Sequence, residues 1–447
     1  MRHADRILLL ATVALLAAPL RADDWPGFGG PGGRGISAEK GLARSWPAGG
    51  PKELWKIELG EGWGAAAVRD GQVYVLDRPD EKKDVLRCLD LNTGKELWTF
   101  SYSAPGSLSY DGSRTVPTVD DKAVFTLSAF GLLHCIDRKT HQAVWSHHLV
   151  REFREQQPAT RGFTAQWGQT QLPKWGISQH PVLYKDWVIV APQSMSVGVV
   201  AYEKTTGKLA WSSPYIGRNW FSHVTPIVAR LCGVDQIVMV ANAEFAGDPT
   251  AYVSGVDANT GKLLWQIETW KRYNVPIPSP VQIADDKVFV AGGYRIGCFA
   301  LKVKRDGESW SVDYAFKDND NCTPHIHTPL FFEGHVYANS FDKFHNTVNK
   351  GLVCLDADGK LKWKSAPAKH FESGGMLIAG GMIYIMHGQT GVLTLLEATP
   401  EGYRELASAK VLDAEDGTVW APLALSDGRL LVRDMRVMKC LDVRGQR

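Results

Sequence analysis

Four histidines are the residues most suited to chemistry. His325 and His327 stand one residue apart, so on a strand both rings face the same side, and imidazole is a ligand for Zn, Cu or Fe. His180 and His223 each lie shortly before a Pro that opens an apolar run. Counted back from that Pro, His180 is one residue away and His223 three, against two for His327 and four for His325. In regular strands those pairs point to opposite sides, and a four-His metal site would need bulges. The competing reading is that these imidazoles hydrogen-bond backbone at strand entries. Trp63, Arg114, Trp220, Glu372 and Trp420 occupy the same kind of position. With the histidines they form the candidate ligand-binding set, Trp and Arg serving as anchors.

Other chemistry finds less support. The D-N-D-N run at 318–321 lacks the spaced ligands and terminal Glu of a Ca²⁺ loop. G-G-P-G-G-R-G at 29–35 has no strand before it and no Lys-Ser/Thr after it, so it is not a phosphate loop. No G-x-S-x-G elbow is present. His134, His141 and His335 fill repeat or turn positions and are expected to be solvated.

The elements that must position these residues come from an internal repeat. C-L-D-L-N-T-G-K-E-L-W (88–98), C-I-D-R-K-T-H-Q-A-V-W (135–145), A-Y-E-K-T-T-G-K-L-A-W (201–211), G-V-D-A-N-T-G-K-L-L-W (255–265) and the shorter C-L-D-A-D-G-K-L-K-W (354–363) each read as strand, tight turn, strand. In that turn the acidic residue bonds the backbone, Gly supplies positive φ, and Trp packs between neighbouring sheets. Weaker copies lie at 298–310, 395–403 and 440–445, the last without its final strand. L-W-K-I-E-L at 54–59 is a lone strand with the matching Trp55. A turn and β-branched strand precede each copy, and before that comes a short strand often opened by Pro (117, 181, 226, 280, 329, 422). A strand with Pro at its start suits an edge, here the innermost strand around a channel. Eight units of four strands predict an all-β fold, an eight-bladed β-propeller of four-stranded antiparallel blades over 54–447, closed by the N-terminal strand completing the last blade.

Composition bounds the partners. Of 447 residues, 50 are Lys or Arg and 48 Asp or Glu, a balance without the basic excess that releases phosphate counterions, so no nucleic acid is expected. Residues 1–22 read as a signal peptide: Arg2 and Arg6, an apolar run from Ile7 to Ala18, and Ala22 as a small residue at the cleavage point. No later stretch is long enough to span a bilayer. The expectation is a periplasmic or secreted monomer, with residues 23–53 as an extended wrapping segment. Of the seven Cys, Cys88, Cys135, Cys298, Cys354 and Cys440 recur at one repeat position and read as small buried apolar groups.

The recurring x-x-D-x-x-T-G-K-x-x-W, with the W-P-G-F-G-G-P-G-G leader from Trp25, resembles the PQQ-like repeat of quinoprotein alcohol dehydrogenase-like propellers, a family that includes the BamB-type assembly scaffold. The resemblance implies PQQ with Ca²⁺ as a possible cofactor. The methanol-type enzymes also carry an adjacent Cys pair, and this sequence has none.

In a propeller blade the turns between strands one and two and between strands three and four share one face. The remaining loops emerge on the other, and here that face receives the long segments 77–84, 146–175, 244–250 and 340–350. Long loops on a rigid scaffold carry function, so the site is expected there. The favoured reading is a non-catalytic module binding an envelope protein, peptide or glycan. The alternatives are a PQQ-dependent oxidoreductase and a His-based metal hydrolase or lyase at the channel mouth.

Overall fold

The computed structural model describes residues 24–108, 110, 112–153, 165–167, 170–172, 175–192, 194, 196–216, 223–242, 250–271, 275–318, 321–341, 350–415 and 417–445. Among the described residues, eight four-stranded antiparallel blades follow one another along the chain, their strands in sequence order from the inside outwards except in blade 8, whose outer strand comes from the N-terminal side. The innermost strands are Ala66–Arg69, Thr118–Val119, Val182–Tyr184, Ile227–Leu231, Val281–Ala284, Leu330–Phe332, Met376–Ala379 and Ala424–Ser426, heading blades 1 to 8. Six of them start within two residues after the Pro noted above, so each unpairable Pro sits at the edge that faces the channel.

The ring closes as the lone Trp55 strand predicts. Lys52–Glu58 pairs antiparallel with Val437–Asp442, supplying the outer strand of blade 8. The second and third strands of the blades are buried nearly throughout, whereas outer strands such as Glu96–Ser103 alternate. The core therefore lies between blades, in clusters that each draw on neighbouring sheets.

The repeat works as a clasp between blades. Asp90, Asp137 and Asp257 each accept hydrogen bonds from two backbone N–H groups of their turn, at 2.7–3.1 Å. Trp of one blade then docks on the turn of the next: Trp55 Nε1 donates to Leu91 O and Trp145 Nε1 to Lys204 O, both at 2.8 Å. A Cβ on Gly94 would stand 2.6 Å from the Trp55 ring, so that turn needs Gly for space as well as for its φ of 69°. In blade 2 the equivalent residue is His141, at φ 60°, and its ring stacks on Trp98 at 4.4 Å. A register shift recurs beside this Trp, as at Cys88/Leu89, Ala201/Tyr202 and Gly255/Val256. Such bulges re-aim side chains, here towards the next blade.

The cysteines are all free, and the five at the repeat position are buried. His134 departs from expectation: it is buried rather than solvated, in contact with Tyr102, and burial lowers its pKa to about 4. The segment 77–84 is the end of a strand hairpin, Gln72–Asp80 with Lys83–Asp90, rather than a loop. Most of 244–250 and 340–350, and much of 146–175 and 318–321, lie outside the described residues.

Residues 24–37 run along innermost strands. Trp25 exchanges two backbone hydrogen bonds with Val68 of blade 1, and Pro26 O accepts from Val119 of blade 2. Phe28 stacks on His180 ahead of blade 3, and Ile36–Ser37 pairs in parallel with Ile378–Ala379 of blade 7.

Candidate functional site

The crossovers that carry the chain from one blade's outer strand to the next blade's inner strand bring Trp63, Arg114, His180, His223, His325, His327 and Trp420 to the wall of one cavity of about 220 Å³ at the channel mouth. The predicted opposition between the His pairs does not occur. His180, His223, His325 and His327 all precede their strands, in irregular backbone where the two-residue alternation of a strand does not apply. Trp220 lies outside the described residues. Glu372 does not line the cavity; at φ 51° it turns the chain ahead of blade 7, and its carbonyl accepts from Asn339 Nδ2 at 2.8 Å.

One side of the cavity is aromatic. Trp63 and Trp420 stack with centroids 5.7 Å apart, and Tyr110 meets Trp63 edge-on at 5.8 Å. The Arg114 guanidinium lies 5.8 Å from the Trp63 ring and donates to the carbonyls of Trp175 and Tyr110. The opposite side is histidine-rich: Phe28 stacks on His180 at 4.1 Å, and Tyr294 meets His325 edge-on at 5.1 Å. Phe28, Tyr110, Trp175 and Tyr294 were not singled out in the sequence. For Tyr294 the signal was present, since the turn between second and third strands of blade 5 must emerge on this face. Phe28 sits in a segment outside the repeat, and no phase places it.

Three of the imidazoles are held neutral. Burial lowers His180 to about 3, burial and then the Arg114 charge lower His223 to about 3, and burial lowers His327 to about 4. His180 Nδ1 accepts the Val116 N–H at 2.8 Å, so the neutral ring carries its proton on Nε2. His327 Nε2 faces Ser373 O at 3.0 Å and must be the donor. Two ring nitrogens that a metal site would use are thus committed to backbone. Among the described residues no three His, Cys, Asp or Glu side chains are grouped to hold a metal ion. Nor do the described lining residues include an Asp or Glu. With no adjacent Cys pair either, the donors present do not fit a quinone held through Ca²⁺. Among the described residues, Trp63 Nε1 and His223 Nδ1 of the cavity wall are buried without a hydrogen-bond partner.

The family model for outer membrane protein assembly factor BamB matches residues 81–318 and 251–434. Among solved structures, quinohemoprotein alcohol dehydrogenase from Comamonas testosteroni is similar at 14% identity and a TM-score of 0.63, over 95% of this chain and 81% of that one. BamB from Moraxella catarrhalis is similar at 13% and 0.53, over 88% and 99%. The computationally designed Ika8 protein is similar at 11% and 0.50, over 87% and 99%. Likeness at these identities is one of fold. No curated protein matches the chain. As an eight-bladed propeller whose sequence matches the family model over more than half of its length, the chain belongs to the BamB-type family of PQQ-like repeat propellers.

Proposed function

We propose that the protein is an exported binding propeller that holds a sugar ring of a glycan in the cavity at its looped face. The observation that carries this is the pair of orphaned polar atoms, Trp63 Nε1 and His223 Nδ1, set in a wall of aromatic rings. Buried polar groups in native proteins have partners, and a hydroxyl can accept from the indole N–H and either donate to or accept from the imidazole. Aromatic faces such as Trp420 and Tyr110 suit the apolar face of a sugar. The space is of the right order, since a cavity of about 150 Å³ admits one benzene ring. Export rests on the leader at 1–22 and on the family's envelope association. No described helix is long and apolar enough to cross a membrane.

The test is a glycan array probed with the chain from Asp23 onward, followed by calorimetry on the best ligand. Trp63→Ala removes a stacking face and a donor, each worth about 1 kcal/mol, so affinity should fall about 10- to 30-fold. A glycan that binds Trp63→Ala as tightly as the parent would overturn the site. Tight binding of PQQ with Ca²⁺ would overturn the function.

A further inference from the structure

We infer that the N-terminal hairpin, residues 25–37, is a plug standing in the central channel, and that its Phe28 forms a wall of the ligand cavity and helps set which ring fits. This rests on the binding role proposed above. The hairpin touches inner edges spread around the ring: blade 1 through Trp25, blade 2 through Pro26, blade 7 through residues 36–37 and, across the ring from blade 7, the entry of blade 3 through Phe28. Blades 1 and 7 are separated by blade 8. A segment bonded at all these points must cross the space the inner strands enclose.

Two cavities share that space and meet at the hairpin. The ligand cavity lies on the looped side, and a second of about 490 Å³ extends along the inner strands of blades 4 to 6, lined by Trp25, Gly29, Arg34 and Ile36 of the hairpin. Phe28, His327 and Pro422 border both. Phe28 is thus part of the partition. Its ring stacks on His180 and holds that imidazole against the cavity. The loop permits this because Gly30 lets the chain fold over Trp25: at φ 65° a Cβ there would stand 2.5 Å from the indole. The Gly-rich run therefore has a steric purpose.

The placement is tested without any ligand. A Cβ on Gly27 would lie 3.4 Å from Thr118 Cβ, close to disulfide geometry. In Gly27→Cys/Thr118→Cys, treated with oxidised glutathione, the two thiols should lose two electrons and two protons to that oxidant and join. Failure to join would overturn the plug. The wall is tested with indole as the probe, by ligand-detected NMR titration of the parent chain. Phe28→Ala should weaken indole binding about 3- to 10-fold, the range of one aromatic pair, in a chain that still unfolds in one thermal transition, with Phe28→Tyr restoring affinity. Equal affinity in parent and Phe28→Ala would overturn the role of Phe28. If the parent binds no indole, the role of Phe28 as a wall that selects rings falls, while the glycan array still decides the binding reading and the disulfide where the hairpin lies.

Discussion

At the scale of single residues the cavity depends on imidazoles that refuse a proton. His180, His223 and His327 are neutral when folded, with pKa values of about 3 to 4, but titrate near 6.5 once unfolded. Between those values the unfolded chain binds protons that the folded chain does not, so stability is full above pH 6.5 and is lost as pH falls. Each ring contributes a slope of about 1.4 kcal/mol per pH unit in that window. Urea denaturation from pH 7 to 4.5 should show this loss. His180→Gln, which keeps an acceptor for Val116 N–H, should remove one ring's share of the slope; an unchanged slope would mean that His180 is protonated in the fold. The types of these residues and their shared position before inner strands were legible in the sequence. Their convergence was not, because strand alternation was applied to residues that the crossovers hold in irregular backbone.

At the scale of elements the repeat was the most legible feature, since its acidic residue, Gly and Trp each answer one physical need at fixed spacing. The clasp predicts its own weak point. Gly94→Ala places a methyl group against the Trp55 ring in backbone at φ 69°, and strain of this kind costs about 1–3 kcal/mol. Thermal unfolding of that variant should show a lower melting temperature; a shift within error would mean the turn relaxes away from Trp55. The same substitution at Gly71, also at positive φ but with nothing within 4 Å of its Cβ, separates strain from clash. The hairpin at 25–37 was legible only as part of an extended wrapping segment, since its contacts are long-range and follow no period.

At the scale of the whole molecule, blades share their cores and the ring is closed by chain ends far apart in sequence, Lys52 opposite Asp442. Closed rings of this kind lack the free edges that let repeats unravel singly. Calorimetry of the chain from Asp23 should show one unfolding transition, and removing residues 437–447, which strips the partner of the closing strand, should broaden or split it. A single sharp transition in the truncated chain would show that closure adds nothing to cooperativity. Blade number and closing strand were both readable from counting repeat units, because each unit that lacks a strand must borrow one.

The closing strand carries a further consequence. Lys52–Glu58 is bound to blade 8 through a ladder and the Lys439–Glu53 ion pair, both of which the same strand of another copy fits equally well, the condition for domain exchange. Residues 38–51 tether this strand to the hairpin, so a strand traded between two copies takes its hairpin with it into the neighbouring ring. In such a dimer each cavity is walled by the other molecule's Phe28. Refolding from dilute solution favours self-closure, whereas concentrated refolding favours reciprocal pairs.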